Sequence, residues 1–321
     1  MDPVSHALVG AAVGSLAPGP AAFWAAVAGS VVPDADIVVR WVAGEAAYLD
    51  HHRGATHSPL GAAVLGSAVA AAAQALWPGS GFGRVLFWAV LGFYSHVLLD
   101  LTNAYGTQAL WPWSRRRYAW DWTSVIDGPV LALGALHLAM RTVAPARGAL
   151  WGGLTLAALA VYLGLRAAAH GKAVAAVRRH APAARRVSVV PAFLRLDRWR
   201  YVAEDDRGYL TGWVLGPGRK VGEPQVLVRR EDAVVGASLA APAVQVLRRF
   251  SRHPHAEWRR DGDGYLVRWW DVRWGAGPIP PFAAEVVLDP ALKLVDDRLI
   301  AGPGRLRDGV RFVYEEWGRP V

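Results

Sequence analysis

The sequence predicts an all-α membrane domain with about four to six transmembrane or re-entrant helices, followed by a small soluble β-rich domain. The first observation is a change of composition along the 321 residues. Residues 1–184 carry 8 Asp/Glu and 12 Lys/Arg within long runs of Ala, Leu, Val and Gly, whereas residues 185–321 carry 18 and 23. The second is that short alternating apolar segments appear only after the change. We therefore expect a membrane domain over 1–170, a basic linker over 171–187 and a soluble domain over 188–321.

Six apolar segments predict the membrane helices. In two of them, a side chain suited to N-capping precedes a proline that suits the first helical position: Asp2-Pro3 and Ser58-Pro59. The first two segments have about 13–15 residues, which is short of a bilayer core of about 30 Å, so they would form a re-entrant hairpin or tilted spans. The segments are 4–16, 21–32, 59–77, 84–101, 130–140 and 149–169.

The polar loops divide into two groups when the helices are counted through the membrane. The loops 34–57 and 102–127 and the chain after about residue 170 would share the side of the N-terminus. All eight acidic residues of the membrane half lie on that side, and the opposite loops 17–20, 78–83 and 141–148 contain no acid and no histidine. Most loop arginines also lie with the acids, so the positive-inside rule predicts a multi-pass inner-membrane protein with a cytoplasmic N-terminus and a cytoplasmic C-terminal domain.

Four segments of the C-terminal part alternate apolar and polar residues and are rich in aromatic and β-branched side chains. They are bounded by Gly, Pro and Asp, which is typical of antiparallel strands. One helix is expected at about 240–252. The predicted strands are 195–202, 208–215, 264–272 and 283–288.

Candidate metal ligands lie in three places on the expected cytoplasmic side. The chain has no cysteine, so any metal must be bound by His, Asp or Glu. His96 and Asp100 are four residues apart and share one helical face, either as a two-ligand clip or as a structural hydrogen-bonded pair. Asp34 and Asp36 follow a helix end that disfavours anions unless a cation compensates, although an ordinary Asp-rich turn would look the same.

The third place is the polar stretch 50–59. His57 precedes a helix N-terminus, where the helix dipole keeps a histidine neutral, as a ligand must be. Arg53 could hold an anionic oxygen such as a phosphate. Thr56 could orient a ligand through a hydrogen bond. His52 is either a base or a loop residue, and His51 is expected to have no role.

Further candidates carry equally open interpretations. His6 lies on the first turn of the first helix, where a structural interfacial histidine is the alternative. Asp121 and Asp127 flank the start of the helix at 130–140, and Asp127 would serve either as its N-cap or as part of the site.

These residues occur in an ordered series of motifs: Asp2-x-x-Ser5-His6-x-x-x-Gly10, Pro33-Asp34-x-Asp36, His52-Arg53-Gly54-x-Thr56-His57-Ser58, and His96-x-x-x-Asp100 followed by Thr102 and Gly106-Thr107. The series resembles a family of membrane-bound, metal-dependent inner-membrane hydrolases that includes a LexA-regulated member. The resemblance covers about residues 1–170, with Ser5 where that family often has Thr. It implies a hydrolase that uses a metal ion. A fainter similarity to the zinc-dependent phospholipase C and nuclease fold implies phosphoester chemistry.

Together these features predict a hydrolase that cleaves an ester or phosphoester, including lipid, at the cytoplasmic membrane surface. One or more divalent ions, zinc above all, would activate a water. Arg53 would stabilise negative charge, and His52, Asp121 or Asp127 would act as general base. The expected partners are membrane lipids and a small-molecule substrate. The net charge of +9 does not indicate specific nucleic-acid binding, because the arginines are dispersed. The expected ligands are His6, Asp34, Asp36, His57, His96 and Asp100.

Two alternatives remain at this point. The same His/Asp cluster could be a structural metal site, or it could serve ion or proton translocation. A transporter should place ionisable groups near the midplane with access from both sides, whereas here they cluster on one side, which favours surface chemistry.

Overall fold

The computed structural model describes residues 1–193, 195–216, 220–275 and 282–301. The chain forms two compact units. The first comprises residues 1–38 and 51–170, and the second comprises residues 39–50 and 171–321. The first unit is helical, and the second contains all the described strands.

Seven α-helices form in the first 180 residues. One of them, Val38–His51, lies within the stretch 34–57 that was expected to be a polar loop, whereas the helices expected to begin after Asp2 and Ser58 do so. Asp2 accepts a hydrogen bond from the Ser5 backbone N–H, and Ser58 accepts one from that of Gly61. These side chains satisfy N–H groups that have no partner within the helix. The helices are α1 Pro3–Gly14, α2 Pro20–Gly29, α3 Val38–His51, α4 Pro59–Leu76, α5 Phe82–Thr102, α6 Gly128–Val143 and α7 Gly148–His180.

Within the described residues, three segments are long and apolar enough to cross a membrane: Pro59–Leu76, Phe82–Thr102 and Pro145–His180. A fourth is possible if Pro20–Gly29 and Val32–His51, which meet at 44°, form one broken span. About four to six transmembrane or re-entrant helices were predicted, so these three to four candidate spans are fewer than expected. α1 and α6 are apolar but have only 12 and 16 residues, which is less than a bilayer core requires.

Helix α5 is packed against α2 at two glycines, one on each helix. A Cβ atom added at Gly29 would lie 2.1 Å from the Ala89 carbonyl oxygen, and one added at Gly92 would lie 2.0 Å from the Ala26 carbonyl oxygen. Only glycine permits so close an approach of the two backbones. The contact brings the end of α2 beside the C-terminal half of α5, where His96 and Asp100 lie.

The second unit contains two antiparallel sheets. In the first, β2 lies between β1 and β3, and β3 pairs on its other side with both β4 and β5. The second has the order β6-β7-β8-β9. The strands are β1 Arg186–Pro191, β2 Arg198–Glu204, β3 Gly208–Leu215, β4 Lys220–Val221, β5 Gln225–Val228, β6 Pro254–Asp261, β7 Gly264–Asp271, β8 Phe282–Leu288 and β9 Leu294–Ala301.

Two short helices, α8 Ala233–Ser238 and α9 Pro242–Phe250, pack on the second sheet. Val244 and Leu247 of α9 are buried against Val267 and Val286 of the sheet. The four predicted strands and the helix predicted near 240–252 are confirmed. Part of the expected basic linker is helical, since α7 continues to His180 and β1 begins at Arg186.

Candidate metal centre

Four side chains from three segments meet in the first unit. Asp34 lies in the 3-10 turn Val32–Ile37, His57 in the 3-10 turn Ala55–His57, and His96 and Asp100 one turn apart on α5. Each offers one donor atom, and the four atoms lie within 4.8 Å of one another. The side chains of His57, His96 and Asp100 are fully buried, and that of Asp34 is 16% exposed.

The separations of these atoms match a metal coordination shell. The two histidine Nε2 atoms are 3.1 Å apart. The Nε2 atom of His57 lies 3.3 Å from Asp100 Oδ2 and 3.6 Å from Asp34 Oδ1. The corresponding distances from His96 Nε2 are 3.4 and 3.6 Å. Donors at about 2.0–2.2 Å from a tetrahedral ion are about 3.3–3.6 Å from one another, so the four nitrogen–oxygen separations fit and the nitrogen–nitrogen separation is slightly shorter.

Hydrogen bonds on the far side of each ring determine its tautomer. His96 Nδ1 lies 2.8 Å from the Ser30 carbonyl oxygen, which can only accept, so Nδ1 carries the proton. The Thr56 hydroxyl donates to Asp36 Oδ2 at 3.2 Å and therefore accepts from His57 Nδ1 at 2.9 Å. When neutral, both rings therefore point an Nε2 lone pair at the other donors.

With both rings neutral, four lone-pair donors converge in a buried space. Asp100 Oδ2, one of the four, is a buried oxygen that has no hydrogen-bond partner among the described residues. Such an arrangement is repulsive unless a cation lies between the donors. The group could therefore hold a metal ion, and second-shell hydrogen bonds already orient its histidines.

The other oxygen of Asp100 is paired with a buried arginine. Arg53 Nη2 lies 3.0 Å from Oδ1. Arg53 Nη1 donates to Asn103 Oδ1 at 2.9 Å. Arg53 is 3% exposed and lies over the Tyr105 ring. Its charge therefore compensates Asp100 directly, which fixes the carboxylate so that Oδ2 faces the histidines.

Two expected ligands lie beside the group of four rather than in it. The His6 ring stacks on that of His96, with centroids 3.6 Å apart, and its Nε2 is 3.2 Å from Asp100 Oδ1. Asp36 accepts hydrogen bonds from His52 Nδ1 at 2.9 Å and from the Arg53 backbone N–H at 3.0 Å. Asp36 is therefore a positioning residue, whose carboxylate fixes the loop that carries His57.

The two acidic candidates after α5 have other environments. Asp127 caps α6 by accepting from the Val130 backbone N–H, and it also accepts from the Tyr162 hydroxyl at 2.8 Å. Of its two expected roles, the structure assigns the cap. Asp121 is buried in a segment whose neighbours, Trp120 and Trp122, hydrogen-bond through their backbone to the last residues of α5. Neither carboxylate belongs to the group of four.

Burial also controls the titration of the loop residues near the group. It lowers the pKa of His52, although the hydrogen bond to Asp36 acts in the opposite direction. Burial raises the pKa of Tyr105 to about 12, against the opposing effect of Arg117. His52 is therefore neutral and Tyr105 protonated at neutral pH.

Sequence reasoning missed Ser30, Asn103 and Tyr105. Asn103 follows Asp100 by three residues, a spacing that places both near one helix face, so its motif position was a usable signal. Ser30 acts through its carbonyl oxygen, and backbone groups leave no signature in side-chain identity.

The region that contains all four donors also carries a family match. Residues 1–173, more than half of the chain, match the YdjM inner membrane protein family. The chain belongs to the YdjM inner membrane protein family. The YdjM match agrees with the expected inner-membrane character and with the candidate spans.

A second match covers part of the C-terminal unit. Residues 233–299 match the YfhP C-terminal alpha/beta plait domain. The chain is 31% identical over 138 residues to the uncharacterised protein YfhP of Bacillus subtilis (strain 168), which covers 40% of this chain and 42% of that protein. This YdjM-family chain thus aligns with about two fifths of the length of its curated relative. No solved structure matches it.

Proposed function

We propose that this YdjM-family protein is a membrane-bound, metal-dependent hydrolase of esters or phosphoesters. Asp34, His57, His96 and Asp100 would bind a divalent ion, zinc being the best fit. The observation that carries the proposal is the convergence of four donor atoms within 4.8 Å of one another, in which each histidine Nε2 lies 3.1–3.6 Å from the other three donors. Nitrogen and carboxylate donors at tetrahedral spacing are a set that zinc favours.

A divalent ion bound there supplies Lewis-acid catalysis and lowers the pKa of a water toward neutral. The residues around it have distinct tasks. Arg53, which contacts Asp100 at 3.0 Å, contributes a positive charge that stabilises negative charge developing on the substrate. His52 is neutral, and Asp36 accepts from its Nδ1, so its Nε2 has the lone pair that a general base requires. The His52 side chain is 12% exposed.

The location supports a substrate at the membrane surface. Asp100 lies two residues before the end of α5, a candidate span of 21 residues, so its carboxylate would lie at headgroup depth. The arginines Arg115, Arg116 and Arg117 follow in the next loop, which favours a cytoplasmic site near anionic lipid headgroups. A lipid ester or phosphoester is therefore the proposed substrate class.

One observation favours a second candidate, a structural metal site. Four protein donors fill a tetrahedral shell, and closed four-ligand shells are typical of structural zinc, whereas catalytic zinc usually has three protein ligands. The hydrolase requires an additional coordination position or displacement of one carboxylate. Asp34, the most exposed of the four donors, is the carboxylate that would move.

One experiment separates the two candidates. The full chain is purified in detergent, stripped with chelator and reloaded with zinc. Metal content and hydrolysis of bis(p-nitrophenyl) phosphate and of a p-nitrophenyl ester are then measured beside His57→Ala and Asp100→Ala. His137→Ala is the control, because His137 is a buried membrane-unit histidine that bonds instead to Ser15.

If the protein is a hydrolase, wild type and the control should bind zinc and hydrolyse at least one of the two compounds. The two ligand variants should lose both zinc binding and hydrolysis. His52→Gln should retain the metal but lose turnover by about 10²–10⁴-fold. Metal without turnover of either compound would support the structural site. Full metal content in both ligand variants would refute the site itself.

A further inference from the structure

Three polar side chains form a linear hydrogen-bonded chain in the C-terminal unit. Ser188 lies on β1, Glu204 at the end of β2, and His253 just before β6. Ser188 Oγ is 2.8 Å from His253 Nε2, and His253 Nδ1 is 2.9 Å from Glu204 Oε2. The His253 side chain is fully buried, and that of Glu204 is 23% exposed.

Strand register brings the serine and the glutamate to the same face. Ser188 is paired with Val202 in the antiparallel ladder of β1 and β2. Glu204 lies two residues beyond Val202, and alternate residues of a strand share a face. His253 is held in place by its carbonyl oxygen, which accepts from the Val272 backbone N–H at 3.0 Å.

The partners determine where the protons lie. The Glu204 carboxylate also pairs with Arg229, whose Nη2 is 2.8 Å from Oε1. The hydrogen bond from His253 lowers the pKa of Glu204, so this side chain is ionised and accepts from His253 Nδ1–H. His253 Nε2 therefore has a lone pair that accepts the proton of the Ser188 hydroxyl. A nucleophile, a base and a residue that orients the base thus stand in the order and at the distances of an activated serine.

We propose that Ser188, His253 and Glu204 form a second catalytic site, which cleaves carboxylic esters through an acyl-serine. Ser188 Oγ bonds to the ester carbonyl carbon while its proton passes to His253 Nε2. The carbon–oxygen bond to the alcohol breaks, and the alcohol leaves with that proton. A water then attacks the acyl carbon, gives its proton to His253 and releases the carboxylic acid, and the proton returns to Ser188.

Exposure along β1 indicates how an ester reaches the serine. Arg186, Ser188 and Val190 alternate along the strand and share one face. Arg186 is exposed, Ser188 is 7% exposed and Val190 is 1% exposed. The substrate therefore enters from the Arg186 end, where the exposed Arg186 guanidinium, which donates to the Arg252 carbonyl oxygen at 2.8 Å, adds positive charge at the entrance. The site contains none of the proposed metal ligands, so it does not depend on the proposed metal-dependent function.

Labelling with a fluorophosphonate tests the proposal directly. An activated serine forms an Oγ–phosphorus bond and releases fluoride, whereas a serine that is only hydrogen-bonded does not react. The full chain in detergent is treated in the presence of a chelator, and the labelled residue is identified by peptide mass spectrometry. The expected label is on Ser188. Ser188→Ala should abolish it, and His253→Gln and Glu204→Gln should slow it by at least about 100-fold.

The matched control is Ser251→Ala, which removes a serine two residues before His253. In this variant Ser188 should be labelled to the same extent as in wild type. Unfolding temperatures of all variants are measured to separate lost activation from lost structure. Absence of label on Ser188 in folded wild type, under conditions that label a known serine esterase, would overturn the proposal. Undiminished labelling of folded His253→Gln would also overturn it, because the base would then have no role.

Discussion

Replacing Asp100 with asparagine removes one of the four donors but preserves the shape of the side chain. Apparent zinc-binding free energies of four-ligand sites are about 10–16 kcal/mol, or about 2.5–4 kcal/mol for each ligand. Loss of one ligand should therefore weaken binding by about 100- to 1,000-fold. Asp100 Oδ2 lies 3.3 and 3.4 Å from the two histidine nitrogens, so no neighbouring carboxylate can replace it without rearrangement.

The effect is measured as stabilisation by the metal. Free zinc at 100 times the wild-type Kd stabilises the folded protein by about 2.7 kcal/mol, whereas a 100-fold weaker variant gains only about 0.4 kcal/mol at the same concentration. Thermal unfolding of the apo and zinc-loaded protein in detergent, followed by fluorescence of the 16 tryptophans, reports the difference.

Asp127→Asn is the matched control, since Asp127 is a buried carboxylate that caps α6. It should lower the free energy of unfolding by about 1 kcal/mol both with and without zinc. The stabilisation that zinc provides should therefore be as large as in wild type. An Asp100→Asn protein that gains as much stability from zinc as wild type would refute the assignment of Asp100 as a ligand.

Three further changes test the surroundings of the site and the two units. Thr56→Val removes the hydroxyl that accepts from His57 Nδ1, so metal affinity should fall about 10–100-fold in a calorimetric titration. Asp271→Asn removes the buried carboxylate that forms an ion pair with Arg273 and should lower the free energy of unfolding by about 3–5 kcal/mol at pH 7. Gly29→Ala places a Cβ atom 2.1 Å from a backbone oxygen of α5. It should destabilise the helical unit by at least about 1–3 kcal/mol in thermal unfolding.

The Asp271 prediction has a defined pH dependence. Burial alone would raise the pKa of Asp271, but the Arg273 guanidinium outweighs burial and holds the pKa well below its usual range. The ion pair therefore stabilises the protein at neutral pH, and its contribution is lost as the pH falls through the lowered pKa. The difference between wild type and Asp271→Asn should shrink below about pH 4. A constant difference from pH 7 to pH 3 would contradict this account.

The other two changes have matched controls. Thr142→Val alters an exposed threonine on α6 and should leave metal affinity unchanged. An equal loss in both threonine variants would contradict a specific role for Thr56. Gly83→Ala adds a Cβ atom with no neighbour within 4 Å, so stability should change by less than about 1 kcal/mol. If Gly29→Ala also changed the free energy of unfolding by less than about 1 kcal/mol, close packing of α2 on α5 would be excluded.

Local chemistry made several elements predictable. Asp2-Pro3 and Ser58-Pro59 indicated where α1 and α4 begin, because a cap followed by proline leaves few alternatives. The segment 208–215 coincides with β3, because glycine bounds an alternating aromatic and β-branched run. The i, i+4 spacing of His96 and Asp100 placed two donors on one face of α5, and the structure brings both into the group of four.

Other features depend on long-range packing that spacing does not encode. Asp34 and Asp36 are two residues apart in the same turn, yet only Asp34 faces the two histidines. Asp36 instead accepts the backbone N–H of Arg53. The selection follows from the contact of α2 with α5, which depends on Gly29 and Gly92. Similarly, capping and catalysis are equally good sequence explanations of Asp127, and only the structure separates them, through the hydrogen bond from the Val130 backbone N–H and the position of Asp127 outside the group of four.

X-ray absorption at the zinc edge of the reloaded full chain measures the proposed centre most directly. The account predicts a first shell of about four nitrogen and oxygen atoms at about 2.0–2.1 Å, with outer-shell scattering from two imidazole rings. That outer-shell signal should fall by half in His57→Ala. Zinc bound without imidazole scattering, or with the same scattering in wild type and His57→Ala, would contradict coordination by His57 and His96.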